Sequence, residues 1–119
     1  MKLTGNTKLL KIFSGDSDRV GGKCLYETIV EEARKAGLAG ATVYRGIMSF
    51  GASHSIHTMN IFALSGDLPV VIEIIDTDEN IDNFIPVVDD LMNKSKKGGL
   101  IYTENVTVHR YISGDKYKL

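Results

Sequence analysis

Residues 70–92, VVIEIIDTDENIDNFIPVVDDLM, carry the pattern that decides the fold. The apolar run from Val70 to Ile75 indicates a β-strand. Thr77 can cap a helix, and the acidic residues that follow it suit the positive end of the helix dipole. Downstream, apolar residues recur at the i, i+3, i+4, i+7 spacing of one helix face: Ile81, Phe84, Ile85, Val88, Leu91 and Met92. The stretch therefore predicts a strand followed by an amphipathic helix, with a kink at Pro86.

The chain before this stretch contains a similar succession of elements. Residues 8–14 alternate imperfectly between apolar and polar types, which predicts a strand with one buried face. A turn at residues 15–18 leads to residues 22–36, whose helical spacing predicts an amphipathic helix that Gly37 ends. Residues 41–48 are predicted to form a second strand.

The chain after this stretch completes the pattern. Residues 94–99 predict a basic loop that ends in two glycines, and residues 100–112 predict a last strand. The order β–α–β–β–α–β favours an α+β, ferredoxin-like fold, an antiparallel sheet with both helices on one face. We therefore expect a single domain over residues 1–119, and an open sheet face of the kind that small domains often cover by oligomerising.

The composition fits such a domain and excludes several functional classes. The chain has 119 residues, of which 43% are hydrophobic and 24% charged, as in globular proteins rather than disordered chains. One cysteine, Cys24, excludes an internal disulfide framework and a cysteine-based zinc site. A net charge of −1 argues against a nucleic-acid binder. The apolar runs are too short to insert in a membrane, and no leader-like N-terminus is visible, which predicts a cytoplasmic protein.

The basic residues point to an anion site. No lysine or arginine lies between Arg45 and Lys94, so the basic residues are confined to the two ends of the chain. Residues 94–99 combine lysines with adjacent glycines whose N–H groups are unobstructed, which suits a phosphate. A solvated helix end with a glycine stop explains the same residues equally well. Arg45, where the second strand ends, can bind a phosphate bidentately or lie over its neighbours on the strand.

The long segment at residues 49–60 is the other functional candidate. It has no clear period and few charges, and loops of this length in small domains are often functional; residues 61–64 are expected to resume the strand. His54 and His57 suggest half of a metal site, or else one histidine bonded to the backbone and one solvated. No nucleophile motif or acid–base pair is present, so we do not expect an enzyme.

Several motifs, in this order, resemble the PII-type signal-transduction proteins over nearly the whole chain. They are Gly37-Leu-Ala-Gly-Ala-Thr-Val43, Arg45-Gly46 before the long loop, Leu68-Pro-Val-Val-Ile-Glu-Ile74 and Gly99-Leu-Ile-Tyr102. A sharper set is similar to the PII-like branch filed as a domain of unknown function: Gly15-Asp-Ser-Asp18, Leu38-Ala-Gly-Ala-Thr-Val43, Arg45-Gly-Ile-Met-Ser-Phe-Gly51, Ile56-His57 and Asp67-Leu-Pro-Val-Val-Ile-Glu73.

The resemblance implies a homotrimer that binds adenine nucleotides in the clefts between subunits. The long loop would report the bound ligand to an unidentified protein target, and a membrane transporter is the usual kind of target in that family. The residues that the resemblance assigns to the site are Thr42, Arg45 and Gly46 at its edge, Met48, Ser49, Phe50 and Gly51 at the base of the long loop, Lys96, Lys97, Gly98, Gly99 and Leu100 in the phosphate-binding loop, and Arg110 from the adjacent subunit.

The sequence departs from the PII pattern in two places. The family's phosphate loop ends Gly-Asp-Gly-Lys, whereas this chain reads Lys97-Gly98-Gly99-Leu100, so Lys96 or Lys97 would have to replace the missing lysine. The sequence contains no glutamine, which classical PII proteins use in binding 2-oxoglutarate with magnesium and ATP. We therefore expect ADP or AMP to be favoured over Mg-ATP, with no cofactor required. The alternative is a metal-binding trimer that resembles the cation-tolerance proteins and uses His54 and His57.

Overall fold

The computed structural model of the chain describes residues 3, 5–50, 57–58 and 68–112. Within them the strands and helices follow in this order: β1 (Thr7–Gly15), β2 (Arg19–Val20), β3 (Lys23–Cys24), α1 (Leu25–Lys35), β4 (Thr42–Arg45), β5 (Met48–Ser49), β6 (His57–Thr58), β7 (Pro69–Thr77), α2 (Asp78–Ser95) and β8 (Leu100–Val106).

Four strands form the main sheet in the order β4-β7-β1-β8, and every neighbouring pair is antiparallel. The register places Ile12 of β1 between Ile72 of β7 and Ile101 of β8. Two short hairpins, β2–β3 and β5–β6, lie outside this sheet. The arrangement confirms the predicted α+β, ferredoxin-like fold.

Both helices cover one face of the sheet and form the core with it. Alternate residues of the central strands face the helices, and four of them are fully buried: Leu10, Ile12, Ile72 and Ile74. The helices add Leu25, Ile29, Ala33, Ile81, Phe84, Val88 and Met92. The apolar stripe predicted for the second helix is therefore the face that it buries.

The opposite face of the sheet is not covered by the residues that the structure describes. At its centre Lys11 Nζ lies 3.5 Å from Glu73 Oε1, and the Tyr44 hydroxyl donates to the same oxygen over 2.8 Å. This hydrogen bond raises the pKa of Tyr44, and the Tyr44 hydroxyl in turn raises the pKa of Lys11. Phe13 and Tyr102 stack beside them with ring centroids 6.0 Å apart. This face is therefore a largely apolar surface around a small polar network.

The helix ends follow the local sequence signals. The Thr77 side chain accepts from the Asn80 N–H over 3.2 Å, as expected of an N-cap. Gly37 ends the first helix with a φ of 77°, as predicted. Helix α1 begins at Leu25 rather than at residue 22, because Gly21 and Gly22 take positive φ values in the turn of the β2–β3 hairpin.

Three predicted boundaries are wrong. The second strand ends at Arg45 rather than at residue 48, and Met48–Ser49 instead pairs with His57–Thr58, so the long segment is partly a hairpin. Lys94 belongs to helix α2, where it pairs with Asp90 at 3.0 Å. The last strand ends at Val106 rather than at residue 112, because its partner β1 begins at Thr7, opposite Val106. The expected strand at residues 61–64 lies outside the described residues.

Candidate functional site

One end of the sheet gathers the segments that the sequence singled out. There β4 ends, β1 leads to α1, and α2 returns to β8. The register sets Arg45 opposite Val70 and Val70 opposite Ser14, while the neighbouring Phe13 faces Leu100. Since neighbouring strands are about 4.8 Å apart, the row from β4 to β8 spans about 14 Å. Arg45 and the 96–99 segment therefore lie at the same end of the fold.

The turn after β1 is held by its own side chain and by its neighbours. Asp18 is buried, and its Oδ2 accepts from the Gly15 N–H over 2.9 Å. The Asp18 carbonyl accepts from the Leu25 N–H over 2.8 Å, which joins the turn to the start of α1. The Asp16 N–H donates to the Leu68 carbonyl over 2.9 Å, which joins the turn to the start of β7. The turn therefore presents the Asp16 side chain in a fixed position.

Asp16 in turn holds Arg45. Its Oδ2 lies 3.1 Å from Nε of Arg45, whose side chain is 50% exposed. The contact uses one edge of the guanidinium group and leaves the two terminal amino groups for another anion.

A cavity of about 300 Å³ adjoins Arg45 and is also lined by Tyr26, Val43, Tyr44 and Val70. The nearby Cys24 thiolate and, to a smaller extent, burial raise the pKa of Tyr26.

The 96–99 segment follows directly from the end of helix α2. Lys96 takes a left-handed conformation with a φ of 60°, and its N–H donates to the Asn93 carbonyl over 3.2 Å. The Lys97 N–H donates to the Ser95 hydroxyl over 3.3 Å. Both lysines are exposed, and neither pairs with a carboxylate among the described residues. Their positive charges are therefore not neutralised by the part of the chain that the structure describes.

The two glycines of this segment have different environments. A β-carbon on Gly99 would lie 2.0 Å from Met92 Cε and 2.7 Å from the Phe13 carbonyl oxygen. A β-carbon on Gly98 would have no heavy atom within 4 Å. Gly99 is therefore required for packing within the chain, whereas Gly98 lies in open space.

Gly46 also packs closely, since a β-carbon there would lie 2.7 Å from Pro69 Cγ, and its N–H donates to the Pro69 carbonyl over 2.8 Å. Beyond it, Met48 and Phe50 are 64% and 65% exposed at the start of the long loop, and Ser49 lies between them. Leu100 begins β8 and is half exposed.

Two of the predicted site residues lie elsewhere. Thr42 pairs with Glu73 in the register of β4 and β7. Its side chain lies on the other face of the sheet from that of Arg45, and the two residues are about 10 Å apart along the strand. Arg110 follows β8, whose seven residues span about 20 Å, so it lies at the far end of the sheet. The next residue, Tyr111, donates from its hydroxyl to the Ala39 carbonyl. Arg110 thus does not join the Arg45 site of its own chain.

Sequence reasoning assigned no role to Asp16 or Ser14. Asp16 lies in the Gly15-Asp-Ser-Asp18 motif, but its pairing with Arg45 joins residues 29 positions apart and carries no local signal. Ser14 is 7% exposed, and its hydroxyl has no hydrogen-bond partner among the described residues. It lies in the same row as Arg45, beneath the candidate site.

The metal alternative falls largely outside the described residues. Gly51, His54 and the side chain of His57 are among the residues that are not described. In residues 5–50 and 68–112, no three histidine, cysteine or acidic side chains come close enough together to hold a metal. None of the described helices is both long enough and apolar enough to cross a bilayer.

Comparisons with known proteins agree with the architecture. Residues 7–108 match the family DUF190, described as Uncharacterized ACR. A UPF0166 protein of Aquifex aeolicus (strain VF5) is 41% identical over 101 residues, covering 85% of this chain and 91% of the relative. A UPF0166 protein of Methanocaldococcus jannaschii is 34% identical over 111 residues, covering 93% and 96%.

Among solved structures, CPII, a nitrogen regulatory PII-like protein from Thiomonas intermedia K12, superposes with a TM-score of 0.67 at 16% identity over 92% of each chain. That structure is bound to ADP, AMP and bicarbonate. The divalent ion tolerance protein CutA1 from Ehrlichia chaffeensis gives a TM-score of 0.55 at 15% identity, covering 94% of this chain and 88% of that one. At these identities the two similarities establish a shared fold.

Proposed function

The chain belongs to the DUF190 family, and on that premise we propose that it is a PII-like regulatory protein rather than an enzyme. It binds an adenine nucleotide, ADP or AMP in preference to Mg-ATP, in clefts between the subunits of a homotrimer. The observation that carries this proposal is the position of Arg45, which Asp16 holds at the same end of the sheet as Lys96 and Lys97, and neither lysine pairs with a carboxylate among the described residues. The nucleotide-bound CPII structure, which has the same fold, supports the choice of ligand.

The charges at this end of the sheet favour a ligand with few phosphates. Arg45, Lys96 and Lys97 contribute three positive charges, and Asp16 removes one of them. A guanidinium group held by its Nε edge can still bind one phosphate bidentately, and the flexible lysines supply less directed positive potential. Gly98, with no side chain and open space around it, lets a phosphate approach the backbone.

The trimer is proposed from the open sheet face and from Arg110. Phe13, Ile75 and Leu100 lie on that face with the stacked Tyr102, and a second copy would remove this apolar surface from water. Arg110 lies at the end of the sheet opposite Arg45. Arg110 can therefore complete a nucleotide site only on an adjacent subunit. Thr42 would lie at the edge of this cleft between subunits.

Residues 49–60 carry the signal to a protein target in the cytoplasm, with a membrane transporter as the expected kind of target. Met48 and Ser49 pair with Thr58 and His57, so the hairpin base is joined to the strand that ends at Arg45. The exposed side chains of Ile47 and Met48 at this base suit a protein partner.

Calorimetric titration with ADP, AMP and ATP tests the proposal. We expect binding tighter than about 1 mM for ADP or AMP, and weaker binding of Mg-ATP. Absence of binding by all three nucleotides would remove the nucleotide from the proposal. Tight binding of Mg-ATP alone would show that the assignment of the phosphate-binding groups is wrong.

A second candidate, a metal-binding trimer, has support from the fold shared with CutA1. It would use His54 and His57, with carboxylates or other subunits supplying further ligands. Metal analysis of the purified protein, compared with a His54→Ala, His57→Ala double variant, tests it. Copper or zinc that is retained by the parent and lost from the variant would favour this function.

A further inference from the structure

The C-terminal segment is tied to a distant loop of the same chain. Residues 107–112 follow β8 and form no helix or strand in the part of the chain that the structure describes. Within this segment the hydroxyl of Tyr111 donates to the carbonyl of Ala39, in the loop between α1 and β4. β8 lies at one edge of the sheet, and β1 and β7 separate it from β4 at the other edge. The segment and the Tyr111 side chain therefore bridge from the last strand to the loop before β4.

The loop that receives this hydrogen bond is itself held in place. The Ala39 N–H donates to Oδ2 of Asp76 over 2.7 Å. Asp76 is fully buried, and its Oδ1 accepts from the side-chain amide of Asn80 over 2.8 Å. The Leu38 N–H donates to the Ala33 carbonyl over 3.1 Å, which joins the loop to the end of α1. The carbonyl of Ala39 is therefore a fixed acceptor, and a segment bonded to it is fixed at that point.

The residue next to this anchor is Arg110. Consecutive Cα atoms across a trans peptide are about 3.8 Å apart, so an anchored Tyr111 limits the positions that the Cα of Arg110 can take. The Arg110 side chain is exposed and lies at the end of the sheet opposite Arg45. A segment that is already ordered loses less conformational entropy when its side chain binds a ligand. The Tyr111 anchor therefore prepares Arg110 for a contact outside its own chain.

We propose that Tyr111 is a positioning residue for the nucleotide site. Its hydroxyl, bonded to Ala39, holds the C-terminal segment so that Arg110 of one subunit reaches the phosphate bound on the adjacent subunit. This inference rests on the proposed function, which places Arg110 in that site. Tyr111 acts through Arg110 and needs no contact with the nucleotide. Loss of its hydroxyl leaves the charge of Arg110 in the chain but lets the segment move.

The Tyr111→Phe variant, which keeps the ring and removes the hydroxyl, tests the anchor. In calorimetry it should bind ADP about fivefold more weakly than the parent, which is the effect of one lost hydrogen bond. In the absence of nucleotide, the ¹⁵N heteronuclear NOE values of residues 107–112 should fall, because these amides become more mobile. The matched control is Ile112→Val, a change to an exposed side chain of the same segment, and it should behave like the parent in both measurements.

Mixed trimers show whether Tyr111 acts on the adjacent subunit or on its own. Tyr111→Phe subunits are refolded together with Arg45→Lys subunits, each of which is defective alone. In some sites of the mixed trimers Arg45 comes from a Tyr111→Phe subunit, and Arg110 comes from an Arg45→Lys subunit whose Tyr111 is intact. These sites should bind ADP as tightly as the parent. If Tyr111 only stabilised its own subunit, every site that contains Arg45 would stay defective.

The outcomes separate this proposal from the proposed function. Equal ADP affinity of the parent and the Tyr111→Phe variant, unchanged NOE values, or mixed trimers without restored sites would each overturn the role of Tyr111 and leave the nucleotide proposal in place. A parent that binds no ADP would overturn the proposed function and this role with it. If the variant does not fold, the parent chain still decides, because its residues 107–112 should give NOE values close to those of β8, and values typical of a free tail would overturn the anchor.

Discussion

Oδ2 of Asp16 lies 3.1 Å from Nε of Arg45, and this contact joins the turn after the first strand to the end of the second strand of the ferredoxin-like pattern. Asp16 cannot easily move away, because its N–H is bonded to the Leu68 carbonyl. The Arg45 side chain is half exposed and keeps its terminal amino groups for a ligand. A carboxylate of the chain thus orients the arginine that the nucleotide proposal requires.

The first prediction concerns this arginine. Arg45→Lys should weaken ADP binding about tenfold, because lysine cannot bond to Asp16 and bind a phosphate bidentately at the same time. Calorimetry measures the change. The control is Arg34→Lys in the last turn of α1, which should bind like the parent. Equal affinity of both variants would contradict the assignment of Arg45.

The second prediction concerns the lysines after α2. Lys96→Ala combined with Lys97→Ala should weaken ADP binding about tenfold, because two positive charges that no described carboxylate neutralises are lost near the phosphate. The free energy of unfolding should stay within about 0.5 kcal/mol of the parent, since both side chains are exposed. Lys94→Ala removes a lysine that pairs with Asp90 on the helix and should leave binding unchanged. A loss of binding in the Lys94→Ala variant alone would show that the phosphate site lies elsewhere.

The third prediction separates the two glycines. Gly99→Ala should lower the free energy of unfolding by about 1–3 kcal/mol, because its β-carbon would overlap Met92 and the Phe13 carbonyl. Gly98→Ala should change it by less than about 0.5 kcal/mol, since nothing lies within 4 Å. Urea denaturation measures both. Equal stability of the two variants would mean that the Gly99 packing is not as described.

The fourth prediction concerns Asp76, which is fully buried between the helix layer and the loop before β4. Its oxygens accept from the Ala39 N–H, the Thr77 N–H and the Asn80 amide over 2.7, 2.7 and 2.8 Å. Asp76→Ala should cost about 3 kcal/mol or more, because three donors lose their acceptor. The exposed Asp89→Ala is the control and should cost less than about 0.5 kcal/mol in the same urea titration. A cost below about 1 kcal/mol for Asp76→Ala would contradict this role.

The fifth prediction concerns the open sheet face. Lys11→Glu places two acidic side chains directly opposite one another, since Lys11 faces Glu73 in the register, and this pairing is unfavourable. If the face is the subunit interface, sedimentation velocity should show the Lys11→Glu variant dissociated and the Lys11→Met variant assembled. Circular dichroism checks that both variants are folded. An unchanged sedimentation coefficient in the folded Lys11→Glu variant would place the interface elsewhere.

The sequence predicted the sheet and the helices because their periodicity is local. The Val70–Ile75 run and the capped helix after it were recognisable without any tertiary contact. The predicted last strand is too long because the residues after Val106 keep a strand-like composition. They have no partner strand, since β1 begins at Thr7, opposite Val106. Which residues end a strand depends on the neighbouring strand, and one chain segment does not contain that information.

The sequence predicted only part of the candidate site, because only part of it carries a local signal. Arg45 and the 96–99 segment were found because charge and glycine content mark them locally, whereas Asp16 acts through an ion pair formed only in the folded chain. The ligand contact predicted for Gly99 stays a prediction, and the structure adds a packing role against Met92 that carries no local signal.

The measurement that tests the central claim most directly is native mass spectrometry of the purified protein with ADP. The proposed site needs Arg45 from one subunit and Arg110 from the next, so assembly and binding should appear together. We predict a trimer that carries up to three ADP molecules, with fewer bound to the Arg45→Lys variant. A monomer or a dimer, or a trimer that carries no nucleotide at any ADP concentration, would contradict the account.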